Sequence, residues 1–73
     1  MELDETRAKW RQVAEVLRER MTDGTYPAGS RVPSVVALSE EFGIAQATAQ
    51  KVLRALREDG LTRTEPGLGS FVR

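Results

Sequence analysis

The apolar positions of this chain fall into three stripes of helical period followed by two short extended runs. Trp10, Val13, Ala14, Leu17 and Met21 recur at i, i+3, i+4, i+7 spacing with Arg11, Glu15, Arg18 and Glu19 between them, which predicts an amphipathic helix over residues 7–23 stopped by Gly24. Residues 25–33 hold Pro27, Gly29 and Pro33 and read as a loop, within which Arg31-Val32 suits a short edge strand. Ser34 is an N-cap for a second helix over 35–42, with Val35, Leu38 and Phe42 on one face and Val36 roughly opposite. Gly43 turns the chain into a third helix, from 45 or 46 to 59, whose buried stripe is Ala49, Val52, Leu53 and Leu56. Gly60 ends it. Residues 61–64 and 70–73 then read as strands flanking Pro66-Gly67-Leu68-Gly69.

A tight helix pair followed by a glycine-tipped hairpin predicts a mainly α fold with a small β-hairpin, a winged helix-turn-helix of three helices plus wing. The domain is expected over 7–73. Residues 1–6, which carry Glu2, Asp4 and Glu5 and no stripe, are expected to form a flexible acidic tail. Such an architecture presents one helix and one hairpin to a DNA duplex.

Composition narrows the chemistry. A chain of 73 residues is one small domain, burying only about 60% of its unfolded surface. It has neither cysteine nor histidine, so disulfides and the usual zinc sites are excluded and no cofactor is expected. No apolar run approaches the ~20 residues of a membrane span. The expectation is a soluble protein of the cytoplasm, associated with the nucleoid. With no histidine, no cysteine and no glycine-rich phosphate loop followed by lysine, an enzyme is not expected. Glu40 and Glu41 point in different directions on their helix and make no acid/base pair.

Eleven basic and eleven acidic residues give a formal net charge of zero, which weighs against non-specific attraction to DNA. The distribution is uneven. Residues 46–57 contain Lys51, Arg54 and Arg57 and no acid, while acids gather near the N-terminus and at Glu40-Glu41. Local basicity of this kind supports binding that is weak or unusually salt-sensitive in a monomer.

With the stripe of the third helix facing inward, about 100° per residue puts Ala47, Gln50, Lys51 and Arg54 outward, with Gln46 and Thr48 at the exposed N-terminal end. A recognition helix sets its N-terminal residues against base edges. Gln46, Ala47, Thr48 and Gln50 are therefore candidate base contacts: glutamine bonds adenine bidentately, and alanine and threonine methyls pack on thymine. Ser34, Lys51 and Arg54 are candidate phosphate contacts. Arg63, Gly67, Leu68 and Gly69 form the candidate wing, its glycines allowing close backbone approach. Val36 and Arg31 are further candidate contacts. The bland reading stands beside each: a face of Gln, Lys and Arg is ordinarily a solvated surface, an exposed valine needs no function, and a two-glycine tip is ordinarily a hairpin turn.

The blocks Tyr26-Pro27-x-Gly29-Ser30-Arg31-Val32-Pro33-Ser34, Leu38, Phe42-Gly43-Ile44, Thr48, Val52-Leu53-x-x-Leu56, Gly60-Leu61 and Gly67-x-Gly69-Ser70-Phe71-Val72 occur in one order. In that order and spacing the stretch from Trp10 to Val72 resembles the N-terminal DNA-binding domain of the GntR family of bacterial transcription regulators. The resemblance implies double-stranded DNA as partner, binding by helix pair and wing, dimers on palindromic sites, and most simply a repressor. Thr48 matches a family position that contacts DNA. Family members commonly carry arginine where this chain has Val36, Gln46 and Gln50, serine or threonine at Ala45, and a basic residue at Leu68. Those departures predict an operator richer in A·T pairs.

Family members normally continue into a larger metabolite-binding, dimerising domain. This chain ends at Arg73, so it is a stand-alone regulator or a fragment, and no small-molecule effector site is expected within it. Dimerisation is expected on DNA or through the N-terminal tail and first helix. Two other readings remain open: a winged-helix protein-interaction module that has lost DNA binding, and an architectural DNA-binding accessory protein of a plasmid or phage.

Overall fold

The turn between the second and third helices is made by local devices. The Ser34 hydroxyl accepts from the Ala37 backbone N–H (3.1 Å) and starts a helix that ends at Gly43, whose φ of 64° lets its own N–H return to the Ser39 carbonyl. The Ser39 hydroxyl then donates to the Ile44 carbonyl at 2.6 Å, closing the turn into the next helix. A computed structural model describes residues 2–73, with helices α1 (Lys9–Thr22), α2 (Val35–Phe42) and α3 (Gln46–Glu58) followed by antiparallel strands β1 (Thr62–Glu65) and β2 (Gly69–Val72). This is the winged helix-turn-helix that the hydropathy pattern predicts.

The apolar stripes meet as expected. Val13, Ala14 and Leu17 of α1, Leu38 and Phe42 of α2, and Ala49, Val52 and Leu56 of α3 form one buried cluster, joined by Ile44 from the turn. Trp10, Met21 and Leu53 sit at its margin, only partly buried. Arg20 clamps the periphery: it donates to Glu41 of α2 (2.5 Å) and to the Tyr26 hydroxyl (2.6 Å), and its guanidinium stacks 5.5 Å from the Phe42 ring centre.

Element ends differ from the sequence expectation by one or two residues. Helix α1 begins at Lys9 rather than at residue 7, because residues 5–7 form a turn in which the Arg7 N–H bonds the Asp4 carbonyl (3.3 Å). The strands are displaced toward the tip: Glu65 pairs with Gly69, so the turn proper is Pro66-Gly67-Leu68, closed by the Leu68 N–H on the Glu65 carbonyl (3.0 Å). Pro66 presets the first corner, and Gly67, at φ 77°, takes the second, which a side chain would strain.

The suggested edge strand at Arg31-Val32 is realised as one bridge, Arg31 to Phe71, extended by hydrogen bonds from Gly29 N–H to Val72 O, Val72 N–H to Ser30 O and Val32 N–H to Ser70 O, each 2.9 Å. The loop before α2 is thereby stitched to the hairpin, with Val32, Thr62 and Val72 buried beneath it.

The segment expected as a flexible tail is joined to α1 by a reciprocal amide clamp. Gln12, buried despite its polarity, accepts from the Asp4 N–H (2.8 Å) and donates to the carbonyls of Asp4 (2.7 Å) and Arg7 (3.1 Å), while Leu3 packs on the core. Met1, part of the same expectation, lies outside the described residues.

Candidate nucleic-acid interface

Packing of α3 against both α1 and α2 leaves one long face free. Gln46, Ala47, Gln50, Lys51 and Arg54 are exposed on it, and Thr48 is half-buried at its edge. Ala45 supplies no side-chain cap, so the first turn of α3 begins without one. Val36, on the outward side of α2, is half exposed. Ser34 is exposed too; its oxygen is engaged in capping, and its proton remains free to donate.

The candidate phosphate contacts divide across the helix. Lys51 leans toward α1, where its Nζ lies 4.9 Å from the centre of the Trp10 ring and the Arg11 guanidinium lies 5.4 Å from the same ring. Arg54 leans the other way, into a groove of about 310 Å³ between α3 and the hairpin, lined also by Val35, Gln50, Leu53, Arg57, Thr64 and Ser70. Trp10, Arg57, Thr64 and Ser70 are neighbours that the sequence reading did not single out as contacts. The 3.6-residue period carried a signal for Arg57, which follows Gln50 and Arg54 along one side of the helix. For Trp10 and the two hydroxyls no local signal exists.

The wing divides similarly. Leu68 projects at the tip with 62% of its surface exposed, and Gly67 is exposed beside it. Arg63 forms an ion pair with Glu65 and stacks on Phe71 (5.2 Å), which neutralises much of its charge. Arg31 instead lies against Gly69, and so belongs to the wing although it precedes α2 in sequence.

The zero net charge resolves into a sided distribution. Among the described residues the ion pairs are Arg7–Glu15, Arg18–Asp59, Arg20–Glu41 and Arg63–Glu65. Three of the four hold acids on or beside α1 or at the far end of α3. None engages Arg31, Lys51, Arg54 or Arg57, so the free face of α3, apart from Glu58 at its last turn, and the groove beside it are positive although the chain as a whole is not. Carboxyl groups shifted from their usual values lie elsewhere: Asp4 and Asp23 are held low, chiefly by hydrogen bonds from Thr6 and Thr25. Among the described residues no cluster of acids is arranged to hold a metal ion, and no helix is long and apolar enough to cross a membrane.

A free helix face flanked by a glycine-tipped wing and unpaired cations is the geometry in which the sequence resemblance can be tested. The family profile described as "Bacterial regulatory proteins, gntR family" matches residues 9–72. The chain belongs to the GntR family. It is 40% identical over 65 residues to an uncharacterized HTH-type transcriptional regulator of Rhizobium meliloti, covering 89% of this chain and 27% of that protein. It is 33% identical over 64 residues to the mannosyl-D-glycerate transport/metabolism system repressor of Escherichia coli, covering 88% of this chain and 27% of the repressor. This GntR chain thus spans about a quarter of the length of those two curated relatives. Among solved structures, AraR(DBD) in complex with operator ORR3 superposes with a TM-score of 0.88 at 25% identity, over 100% of this chain and 88% of that one. A GntR family transcriptional regulator from Listeria monocytogenes gives 0.92 at 24% identity, over 96% and 61% respectively, which establishes the shared fold.

Proposed function

We propose that this chain is the DNA-binding unit of a bacterial transcriptional repressor acting in the cytoplasm. Helix α3 lies in the major groove, with Gln46, Ala47, Thr48 and Gln50 against base edges, while the 65–69 wing enters the adjacent minor groove. Ser34, Lys51 and Arg54 hold phosphates on the two flanking strands, and Arg31 and Val36 extend the contact. The observation that carries this reading is the sided charge: Arg31, Lys51, Arg54 and Arg57 take part in none of the ion pairs among the described residues, while Glu58, at the last turn of α3, is the one acid on that helix's free face. The AraR domain, which shares the fold, is solved in complex with an operator, which supports double-stranded DNA as the partner.

Two copies bind together, on DNA or through the N-terminal segment and α1, so half-sites on one face are separated by about 10 base pairs or a multiple. Selection of bound duplexes from a random pool tests the proposal. An enriched, inverted-repeat site with A·T pairs under α3 is expected; no enrichment over input removes it.

A second reading, a protein-interaction winged helix, draws support from one observation. Among the described residues the large exposed apolar side chains are Val36, on the outward side of α2, and Leu68, at the wing tip. Titration with random-sequence duplex at low salt separates the two readings, because the interaction module leaves such DNA unbound.

A further inference from the structure

The groove between α3 and the hairpin contains a donor set of which the reading above uses only Arg54. Arg54 and Arg57 stand three residues apart on α3 and both line it, so two guanidinium groups share one side of a narrow cleft. No carboxylate lines the cleft, and neither arginine is ion-paired. The one acid on the adjoining strand, Glu65, is already engaged by Arg63. Like charges held side by side with no counter-ion repel, and an anion between them relieves that repulsion.

The opposite wall supplies hydroxyls. Thr64 and Ser70 are direct cross-strand partners, their oxygens 3.5 Å apart. Arg57 Nη1 reaches Thr64 Oγ1 at 3.4 Å, a long contact that leaves the guanidinium's donors available. Val35 and Leu53 close the cleft with apolar surface, which strengthens charge-assisted bonds formed inside it.

We propose that Arg54, Arg57, Thr64 and Ser70 form a phosphate-binding cleft whose ligand is a phosphodiester of the DNA strand passing between α3 and the wing. The guanidiniums donate from the helix side and the hydroxyls from the hairpin side, so one tetrahedral anion bridges two elements that otherwise touch little. Gln50 lines the same cleft. An anion seated there therefore sets how far Gln50 advances toward a base edge, and Arg57 acts as a positioning residue for base readout as well as a phosphate ligand. This inference rests on the proposed DNA-binding role.

The test uses the whole chain, wild type and with Arg57→Ala, Arg57→Lys and Thr64→Val; these side chains are exposed, so the fold is retained. In the DNA arm, selected duplexes carry one neutral methylphosphonate at each backbone position in turn. Wild type is expected to lose roughly tenfold in affinity, the size of one charge-assisted bond, at each contacted phosphate, and one such position per half-site should depend on Arg57. Arg57→Ala should show part of that loss on all-phosphate DNA, a smaller further loss than wild type at that position, and a salt slope lower by about 0.9. Arg57→Lys should restore the slope but only part of the affinity, since a point charge replaces the planar fork. In the anion arm, inorganic phosphate is titrated into DNA-free protein while the amide signals of Thr64 and Ser70 are followed.

Shifts there in wild type but not in Arg57→Ala, with an unresponsive DNA arm, support the cleft and assign it to free phosphate. A responsive DNA arm assigns it to the duplex. If wild type binds DNA yet Arg57→Ala changes neither affinity, slope nor scan, and phosphate moves nothing, the cleft is refuted and the DNA-binding role stands. If wild type binds no duplex, the functional reading has failed and the phosphate titration alone decides the cleft.

Discussion

Arg31 lies across Gly69, its Nε 2.8 Å from where a Cβ on residue 69 would stand. Gly69 opens β2 opposite Glu65 at φ 120°, a region that side-chain-bearing residues rarely enter. Two demands for glycine coincide, but they differ in weight: a guanidinium tip swings aside at little cost, whereas the backbone cannot change without breaking the ladder. Gly69→Ala should therefore destabilise the fold by about 1–3 kcal/mol, read as a lower urea midpoint. It should also displace Arg31 and weaken binding to all duplexes alike. An unchanged midpoint would show that the hairpin end tolerates a side chain and that its geometry does not demand glycine.

Replacing Gln46 or Gln50 with alanine should cost about 1–3 kcal/mol on the preferred operator and almost nothing on unrelated sequences. Competition binding against a panel of single-base variants reads this out. If both substitutions leave the order of preferred bases intact, base reading resides elsewhere on the surface.

Lys51→Ala should act differently, weakening every duplex equally and lowering the salt slope by about one unit. Trp10 is the single tryptophan of the chain and lies under the Lys51 ammonium. Its emission should change when DNA draws that ammonium away, and the change should vanish in Lys51→Ala. A loss of affinity confined to one operator would reassign Lys51 to base contact.

Gln12→Ala should release the N-terminal segment. It leaves the Asp4 N–H and the Arg7 carbonyl without their partner and the Asp4 carbonyl with only the Arg7 N–H, costing about 1–3 kcal/mol, and amide exchange at residues 4–8 should accelerate. In the same segment the Thr6 hydroxyl, then its amide, hold the Asp4 carboxyl below its usual value of 3.8, as Thr25 does for Asp23. Because both folded values are depressed, their stabilising contribution is complete above the ordinary carboxylate range and is lost as pH falls through the depressed values, below 3.8. Carboxyl titration by NMR should place both midpoints below that value; midpoints at or above it would remove the two hydrogen-bonded turns.

Much of the architecture was legible because its causes are local. The spacing of Val13, Ala14 and Leu17, the cap at Ser34, the stop at Gly43 and the corner at Gly67 each act within about one turn of chain, so linear order reveals them. The outward face of α3 was legible for the same reason: once Ala49, Val52 and Leu56 face the core, geometry directs Ala47, Gln50 and Arg54 away from it.

What meets that face was not legible. Lys51 and Arg54 look alike in the sequence, yet one sits over Trp10 and the other beside Thr64 and Ser70, because α1 and the hairpin flank α3 on opposite sides. Arg31 joins the wing only because residues 29–32 pair with β2, and the acidic segment at the N-terminus meets a buried glutamine eight positions along. Helical and strand periods state the direction of a side chain around its own axis. Which neighbour waits in that direction depends on how distant segments dock, and that is decided by the joint burial of all three stripes.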